Sequence, residues 1–204
     1  LLSVGPDKYL PIMNELEVHA HVEEEIEFNG EMIPIPIHYA GSIDRGFSEE
    51  EGVAIMELKT GKWVQSKNKD DEWNDSKFKM QSMRTEMAFY QYLLKKADHE
   101  YQDVTHWGWV YPSGSGAQLD TYNKYGYEQR AVDRIVYEKL NTKFTDGSTI
   151  KTYKKKVEKL KTALITAYLT NDFPTSASTG KCAWCSFKSI CPSWDGSDDP
   201  QEYL

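Results

Sequence analysis

The sequence predicts an α/β fold in which a mixed central β-sheet is flanked by helices, with a cysteine-rich tail at the C-terminus. Strand patterns open the chain, a helical repeat of apolar residues follows over residues 77–96, and further strands and a helix complete it. With 204 residues, 39% of them hydrophobic, the chain is long enough to bury one full core. We expect one domain over residues 1–172, with the tail, residues 173–204, packed on it.

The first part of the chain is predicted to hold a short helix and three neighbouring strands. Residues 7–16 have a helical pattern, and residues 17–28 alternate apolar and polar side chains as a half-buried strand does. An Asn-Gly turn at residues 29–30 then reverses the chain. Residues 32–44 and 53–59 are extended segments, and together the three strands form a meander.

The second part of the chain is predicted to begin with an amphipathic helix. Within residues 77–96 the apolar side chains recur at spacings of three and four. Residues 104–111 and 118–125 have strand patterns on either side of the loop sequence P-S-G-S-G. The last regular segments cover residues 127–140 and 152–169.

Composition and charge exclude some classes of protein. No apolar stretch is long enough to cross a bilayer and no secretory signal opens the chain, so we expect a cytoplasmic protein without membrane association. The net charge of −8 argues against binding to nucleic acid unless the basic residues are concentrated locally. The distribution of lysines therefore matters more than their total.

Two charged residues interrupt a strand that is otherwise apolar. In V-A-I-M-E-L-K-T-G-K, residues 53–62, Glu57 and Lys59 project from the same face, and Asp44 ends the preceding strand at the same end of the sheet. Two converging carboxylates repel unless a cation such as Mg²⁺ or Mn²⁺ neutralises them. The pattern predicts metal-dependent phosphodiester hydrolysis, with Asp44 and Glu57 as metal ligands and Lys59 as the catalytic cation. The alternative is an ordinary ion pair on a solvated strand.

These residues resemble a known family. G-S-I-D-R (residues 41–45) followed by E-L-K-T-G (residues 57–61) is similar to motifs II and III of the PD-(D/E)XK nuclease superfamily, in the RecB-like branch that includes CRISPR-associated exonucleases. That branch carries Gln-x-x-x-Tyr on the next helix, where this chain has E-M-A-F-Y. The resemblance implies a restriction-endonuclease-like core with Tyr90 and Glu86 as supporting groups. Glu86 departs from the pattern, and Tyr90 is equally suited to the core.

The cysteine tail extends the resemblance. Cys182, Cys185 and Cys191 have the Cys-x2-Cys-x5-Cys spacing of the branch's iron–sulfur nucleases. Three thiols so close together in a reducing compartment favour a metal site over disulfides. We expect a 4Fe-4S cluster, with zinc as the alternative. The fourth ligand is not in this chain, and the resemblance places it upstream of Leu1 together with a helix that contributes to the metal site.

Local basicity suggests a path for nucleic acid. The side chains predicted to contact DNA are Arg84, Lys154, Lys155 and Lys159. A solvated helix face is the alternative for the lysines. Trp63, Trp73 and Trp107 are suited either to stacking on single-stranded bases or to the core. The acidic run at residues 23–25 is interpreted as a solvated face.

The function predicted from these observations is that of a metal-dependent, exonuclease-like deoxyribonuclease. The resemblance implies a role in DNA repair, recombination or CRISPR-type processing, on DNA that is single-stranded or has a free end. The alternative is a non-catalytic DNA-binding or scaffold module that retains the nuclease fold.

Overall fold

A computed structural model describes residues 10–112, 122–123, 126–141, 143–173 and 191. Over these residues the chain forms eight strands and two helices. In chain order they are β1 (Met13–Phe28), β2 (Glu31–Glu49), β3 (Gly52–Leu58), β4 (Trp63–Lys67), β5 (Trp73–Asp75), α1 (Lys77–Lys96), β6 (Val104–Tyr111), β7 (Gln129–Val132), β8 (Arg134–Lys139) and α2 (Ile150–Thr170).

The main sheet is mixed, as the sequence predicts. Its five strands lie in the order β1-β2-β3-β6-β8, and every neighbouring pair is antiparallel except β3 and β6, which run parallel. A parallel pair needs a crossover connection, and here β4, β5 and α1 supply it. A second, three-stranded sheet has the order β5-β4-β7. The predicted α/β class with a mixed sheet and flanking helices is confirmed.

The hairpin of β1 and β2 is set by its turn. Phe28 pairs with Glu31 across the two residues Asn29 and Gly30, which have φ angles of 53° and 85°. Both angles lie in the left-handed region, which a type I′ turn requires and which Asn-Gly tolerates best. The predicted reversal is therefore confirmed, and it fixes the register of the long β1–β2 ladder.

The N-terminal helix prediction is wrong where the structure describes it. Met13 already belongs to β1, where it pairs with Gly46 and is buried. Two residues later Glu15 has a φ of 50°, and this irregularity breaks the strict alternation of a strand. The disturbed alternation is what resembled a helical pattern. Residues 7–9 of the predicted segment lie outside the described residues.

Two further strand boundaries differ from the prediction. β2 continues to Glu49, so Asp44 lies inside the strand rather than at its end, and Glu49 pairs with Gly52 of β3. Of the strand predicted over residues 118–125, the structure describes Tyr122 and Asn123, and Tyr122 forms an isolated bridge with Glu128. The rest of that segment lies outside the described residues.

Helix α1 begins and ends where the sequence predicts. Ser76 caps its N-terminus, and the Ser76 side chain accepts a hydrogen bond from the backbone N–H of Lys79 at 3.2 Å. One face of α1 packs on the sheet next to Gly41: a Cβ atom at Gly41 would lie 3.0 Å from Leu93 and 3.5 Å from Tyr90. The absence of a side chain at Gly41 therefore allows the close approach of α1 to β2.

The chain divides after Lys159 into two compact units, Leu1–Lys159 and Leu160–Leu204. The first contains both sheets, α1 and a hydrophobic core that includes Trp63 and Trp107, each with 0% exposure. The core alternative is thus the correct one for these two tryptophans, because buried rings cannot stack on bases. Of the second unit the structure describes residues 160–173, which contain the end of α2, and Cys191. Neither described helix is long and apolar enough to span a membrane.

Candidate active site

The neighbouring strands β2 and β3 position the first carboxylate of the site. Arg45 of β2 pairs with Met56 of β3. Because the strands are antiparallel, the next step of the same register brings Asp44 of β2 towards Glu57 of β3. One oxygen of Asp44, Oδ2, accepts a hydrogen bond of 2.8 Å from the backbone N–H of Leu58. A backbone donor on the neighbouring strand therefore fixes the orientation of this carboxylate.

Lys59 connects the sheet to helix α1. Its backbone N–H donates to the carbonyl oxygen of Val110 at 2.9 Å, which extends the β3–β6 ladder by one residue. Its Nζ lies 2.8 Å from Oε1 of Glu57 and 2.8 Å from Oε1 of Glu86. The strand and the helix thus each contribute one carboxylate to the same ammonium group. Charges from Asp44, Glu57, Lys59 and Glu86 meet at this point of the fold.

Burial disfavours the ionised form of the Glu57 side chain. The residue is 8% exposed. Burial raises the pKa of the Glu57 carboxyl, the hydrogen bond and charge of Lys59 oppose this, and the charges of Asp44 and Glu86 raise it further. The net shift is upward. The site therefore holds a carboxylate whose ionised form is only partly compensated by its neighbours.

Lys59 and Tyr90 keep their protons in this environment. Burial lowers the pKa of the Lys59 ammonium, but its hydrogen bonds to Glu57 and Glu86 outweigh burial and raise the pKa overall. For Tyr90, burial raises the pKa of the phenol, and the charges of Glu57 and Glu86 add to the effect. Lys59 is therefore a permanent cation at neutral pH, and Tyr90 is a neutral hydroxyl one helical turn from Glu86.

A divalent cation fits the donor atoms of the site. Oε2 of Glu57 is buried and has no hydrogen-bond partner among the described residues. An anionic oxygen left in that state is costly, and a hard cation such as Mg²⁺ or Mn²⁺ binds such oxygens. The described residues contain no group of three or more His, Cys, Asp or Glu side chains arranged to hold a metal ion. Asp44 and Glu57 would therefore supply only part of the coordination, which is how Mg²⁺ is usually bound.

Arg84 does not belong to a DNA-binding surface. It is 1% exposed, and its guanidinium binds both carboxylate oxygens of Glu138, at 2.7 and 3.0 Å. A further ion pair joins it to Asp146 at 3.2 Å, and it stacks 4.1 Å from the ring centre of Phe144. The DNA-contact prediction for Arg84 is wrong because the side chain is buried and each of its three nitrogen atoms already binds a partner inside the first unit. The carboxylate partners come from distant segments of the chain, which the sequence pattern could not reveal.

The remaining predicted contacts lie on α2 and in the tail. Lys154, Lys155 and Lys159 are exposed along the helix, and the structure does not bring them into the carboxylate cluster. Cys182 and Cys185 lie outside the described residues. Cys191 is described as a partly buried thiol outside any disulfide.

The sequence interpretation missed a buried carboxylate in β1. Glu24, assigned to a solvated face, is 7% exposed. It accepts hydrogen bonds from the hydroxyl groups of Tyr39 and Tyr92, at 3.3 and 3.0 Å, and pairs with Lys96 at 2.6 Å. Strand parity could have revealed it, because Glu24 is an even number of residues from buried Val18 and so shares its face.

Two carboxylates and a lysine on neighbouring strands of a mixed sheet are the arrangement expected of a nuclease. A family model of the PD-(D/E)XK nuclease superfamily matches residues 8–192, which include all of these groups. The chain belongs to the PD-(D/E)XK nuclease superfamily. Membership in this superfamily points to nuclease activity.

Comparisons with curated proteins and with solved structures add little to this assignment. No curated protein matches the chain in sequence. One solved structure, "Crystal structure of SSO0001", is similar to the chain with 15% sequence identity and a TM-score of 0.39. The match covers 89% of this chain and 60% of that one.

Proposed function

We propose that the protein is a divalent-metal-dependent deoxyribonuclease that hydrolyses phosphodiester bonds at the Asp44–Glu57–Lys59 cluster. The observation that carries the proposal is Glu57, whose buried Oε2 has no partner in the described part of the chain while its other oxygen binds Lys59. A fold does not retain such a carboxylate for stability, since removing its charge would relieve the strain. A metal-binding role accounts for its position.

Asp44 and Glu57 are the residues that would hold Mg²⁺ or Mn²⁺. When bound, such an ion supplies positive charge that polarises a phosphoryl oxygen and lowers the pKa of a coordinated water. The backbone N–H of Leu58 keeps one oxygen of Asp44 occupied, which fixes the carboxylate plane. Burial between sheet and helix excludes water from Glu57 and strengthens every charge interaction there.

Lys59 offsets the negative charge that develops on the phosphorus oxygens. Its ammonium group is held by Glu57 and Glu86, so it is positioned before substrate arrives. A strongly held proton is unsuited to general-base catalysis, which favours an electrostatic role. Glu86 orients Lys59 from the helix side, and the hydroxyl of Tyr90 is a donor for the substrate or for the carboxylates.

DNA is the proposed substrate, single-stranded or with a free end, and an exonuclease-like action is favoured. The resemblance of residues 41–45, 57–61 and 86–90 to the RecB-like branch supports this choice, with a role in repair, recombination or CRISPR-type processing. The exposed lysines of α2, Lys154 among them, support contact with a phosphate backbone.

A 4Fe-4S cluster in the tail is also part of the proposal, with zinc as the alternative. Its support is the spacing of the three cysteines in the sequence. Iron and zinc contents of anaerobically purified protein test it, and Cys185→Ser should lower whichever metal is present. A preparation that contains neither metal would remove this part of the proposal.

The nuclease proposal is tested by incubating the chain with end-labelled single-stranded DNA, duplex DNA and RNA in Mg²⁺, Mn²⁺ or EDTA. We expect DNA cleavage that needs the metal and is abolished by Asp44→Asn. Binding of DNA without any cleavage would instead identify the non-catalytic module. Cleavage that persists in Asp44→Asn would remove the cluster from the mechanism.

A further inference from the structure

A second concave site lies within the first unit, away from the carboxylate cluster. It is a cavity of about 710 Å³ between the C-terminal half of α1 and the first turns of α2. Its floor is formed by residues 102–105, where the chain enters β6. Val104, in this floor, pairs with Val53, four residues before Glu57 on β3. At about 3.3 Å per residue the two sites are separated by roughly 13 Å along the strand.

Two lysines face this cavity from opposite helices. Lys95 comes from α1 and Lys154 from α2, and neither has a carboxylate within ion-pair distance among the described residues. Burial lowers the pKa of the Lys154 ammonium, and the charge of Lys95 lowers it further. Two ammonium groups thus line one cavity, neither of them in an ion pair among the described residues, and an anion between them would reduce their mutual repulsion.

The other polar groups of the cavity limit what that anion can be. Lys96 is already engaged by Glu24 at 2.6 Å, so it contributes little free charge. The carboxylates of Glu51, Asp103 and Glu158 also line the cavity. They favour a compact anion that is held between the two lysines, away from these carboxylates.

We propose that this cavity binds a phosphate monoester between Lys95 and Lys154. A doubly charged phosphate offers three acceptor oxygens, enough to accept charge-assisted hydrogen bonds from both ammonium groups at once. The group has two possible sources: a free mononucleotide or the terminal phosphate of a nucleic-acid strand. The site is separate from the proposed catalytic centre and does not depend on its activity.

Calorimetric titration of the whole chain in EDTA tests the proposal while cleavage is suppressed. The probes are dAMP, deoxyadenosine, and a short oligothymidylate with and without a 5′-phosphate. We expect dAMP to bind at least tenfold more tightly than deoxyadenosine, which lacks the phosphate. If dAMP fails to bind but the 5′-phosphorylated strand binds tenfold more tightly than the unphosphorylated one, the strand end is the source and the proposal stands. No phosphate-dependent binding of either probe would overturn it.

Matched substitutions locate the site. Lys95→Gln and Lys154→Gln should each weaken the phosphate-dependent binding at least tenfold, since each removes one of two charged donors. Lys151→Gln, an equal change of charge on the exposed side of α2, should leave it unchanged. A similar loss in Lys151→Gln would show general attraction to a basic helix and would overturn the proposal. Because all three lysines are exposed, circular dichroism should show that each variant is folded.

Discussion

The strongest prediction concerns the change Glu57→Gln, which removes one buried charge and almost no volume. An ion that binds the folded chain stabilises it by RT ln(1 + [M]/Kd), about 1.4 kcal/mol at tenfold and 2.7 kcal/mol at a hundredfold excess over Kd. For a chain of this length 1 kcal/mol is worth about 2–4 °C, so saturating Mn²⁺ should raise the wild-type melting temperature by roughly 3–11 °C. The rise should nearly vanish in Glu57→Gln, because the buried Oε2 loses its charge.

Without metal the same variant should melt no lower than the wild type at pH 7.5. Burial and the charges of Asp44 and Glu86 raise the pKa of Glu57 above its ordinary value of 4.5. A raised folded-state pKa means that the stabilising contribution is complete below pH 4.5 and is lost as the pH rises through the folded-state pKa. Glutamine cannot ionise and avoids this loss, while Glu86 still holds Lys59. The difference in melting temperature between Glu57→Gln and the wild type should therefore become smaller at acidic pH.

Thermal melting with MnCl₂ and with EDTA, at neutral and acidic pH, measures both effects. Glu23→Gln, an isosteric change on the exposed side of β1, is the control and should keep the full Mn²⁺ response. DNA cleavage should be lost in Glu57→Gln and kept in Glu23→Gln. An unchanged Mn²⁺ shift in Glu57→Gln, or cleavage at the wild-type rate, would refute the assignment of Glu57 as a metal ligand.

Three other changes separate catalysis, stability and binding. Lys59→Ala should lower the turnover of DNA about 10²–10³-fold while the Mn²⁺ melting shift remains, and a lost shift would give Lys59 a structural role instead. Arg84→Met should lower the free energy of unfolding in urea by about 3–5 kcal/mol, because two largely buried carboxylates lose their partner; a loss under about 1 kcal/mol would contradict this. Replacing Lys154, Lys155 and Lys159 together by Gln should weaken DNA binding for all sequences and reduce the slope of log K against log salt by about 2–3. An unchanged slope would identify a solvated helix face.

The parts of the fold that the sequence predicts correctly depend on neighbours in the chain. Helix α1 is specified by the Ser76 cap and by apolar spacing, both contained within the helix and the residue before it. The Asn29–Gly30 turn specifies the β1–β2 hairpin for the same reason. The pairing of β2 with β3 follows because consecutive antiparallel strands usually lie side by side, which is why Asp44 could be placed near Glu57.

The parts that failed depend on contacts between distant segments. Arg84 binds Glu138, which is 54 residues away in the sequence. No local pattern distinguishes a buried arginine from a surface arginine. Glu15 interrupts the alternation of β1 with a φ of 50°, and nothing in its own side chain indicates this backbone conformation. Glu24 lies within an acidic run whose three carboxylates look alike until the sheet divides them between its faces.

The bond between Lys59 and Glu86 has a consequence for how the molecule acquires its site during folding. The Asp44–Leu58 hydrogen bond spans 14 residues and can form with the β2–β3 hairpin, whereas the Lys59–Glu86 bond spans 27 and waits for the crossover through β4, β5 and α1. Closing the longer loop costs more entropy, so the helix is expected to dock after the hairpin. Until the helix docks, the Glu57 carboxylate is expected to remain hydrated, so its charge carries no desolvation penalty. We expect desolvation of the carboxylate and capture of the ammonium by Glu86 to occur together, so a chain that stalls before the helix docks would have its strands but not the assembled charge cluster.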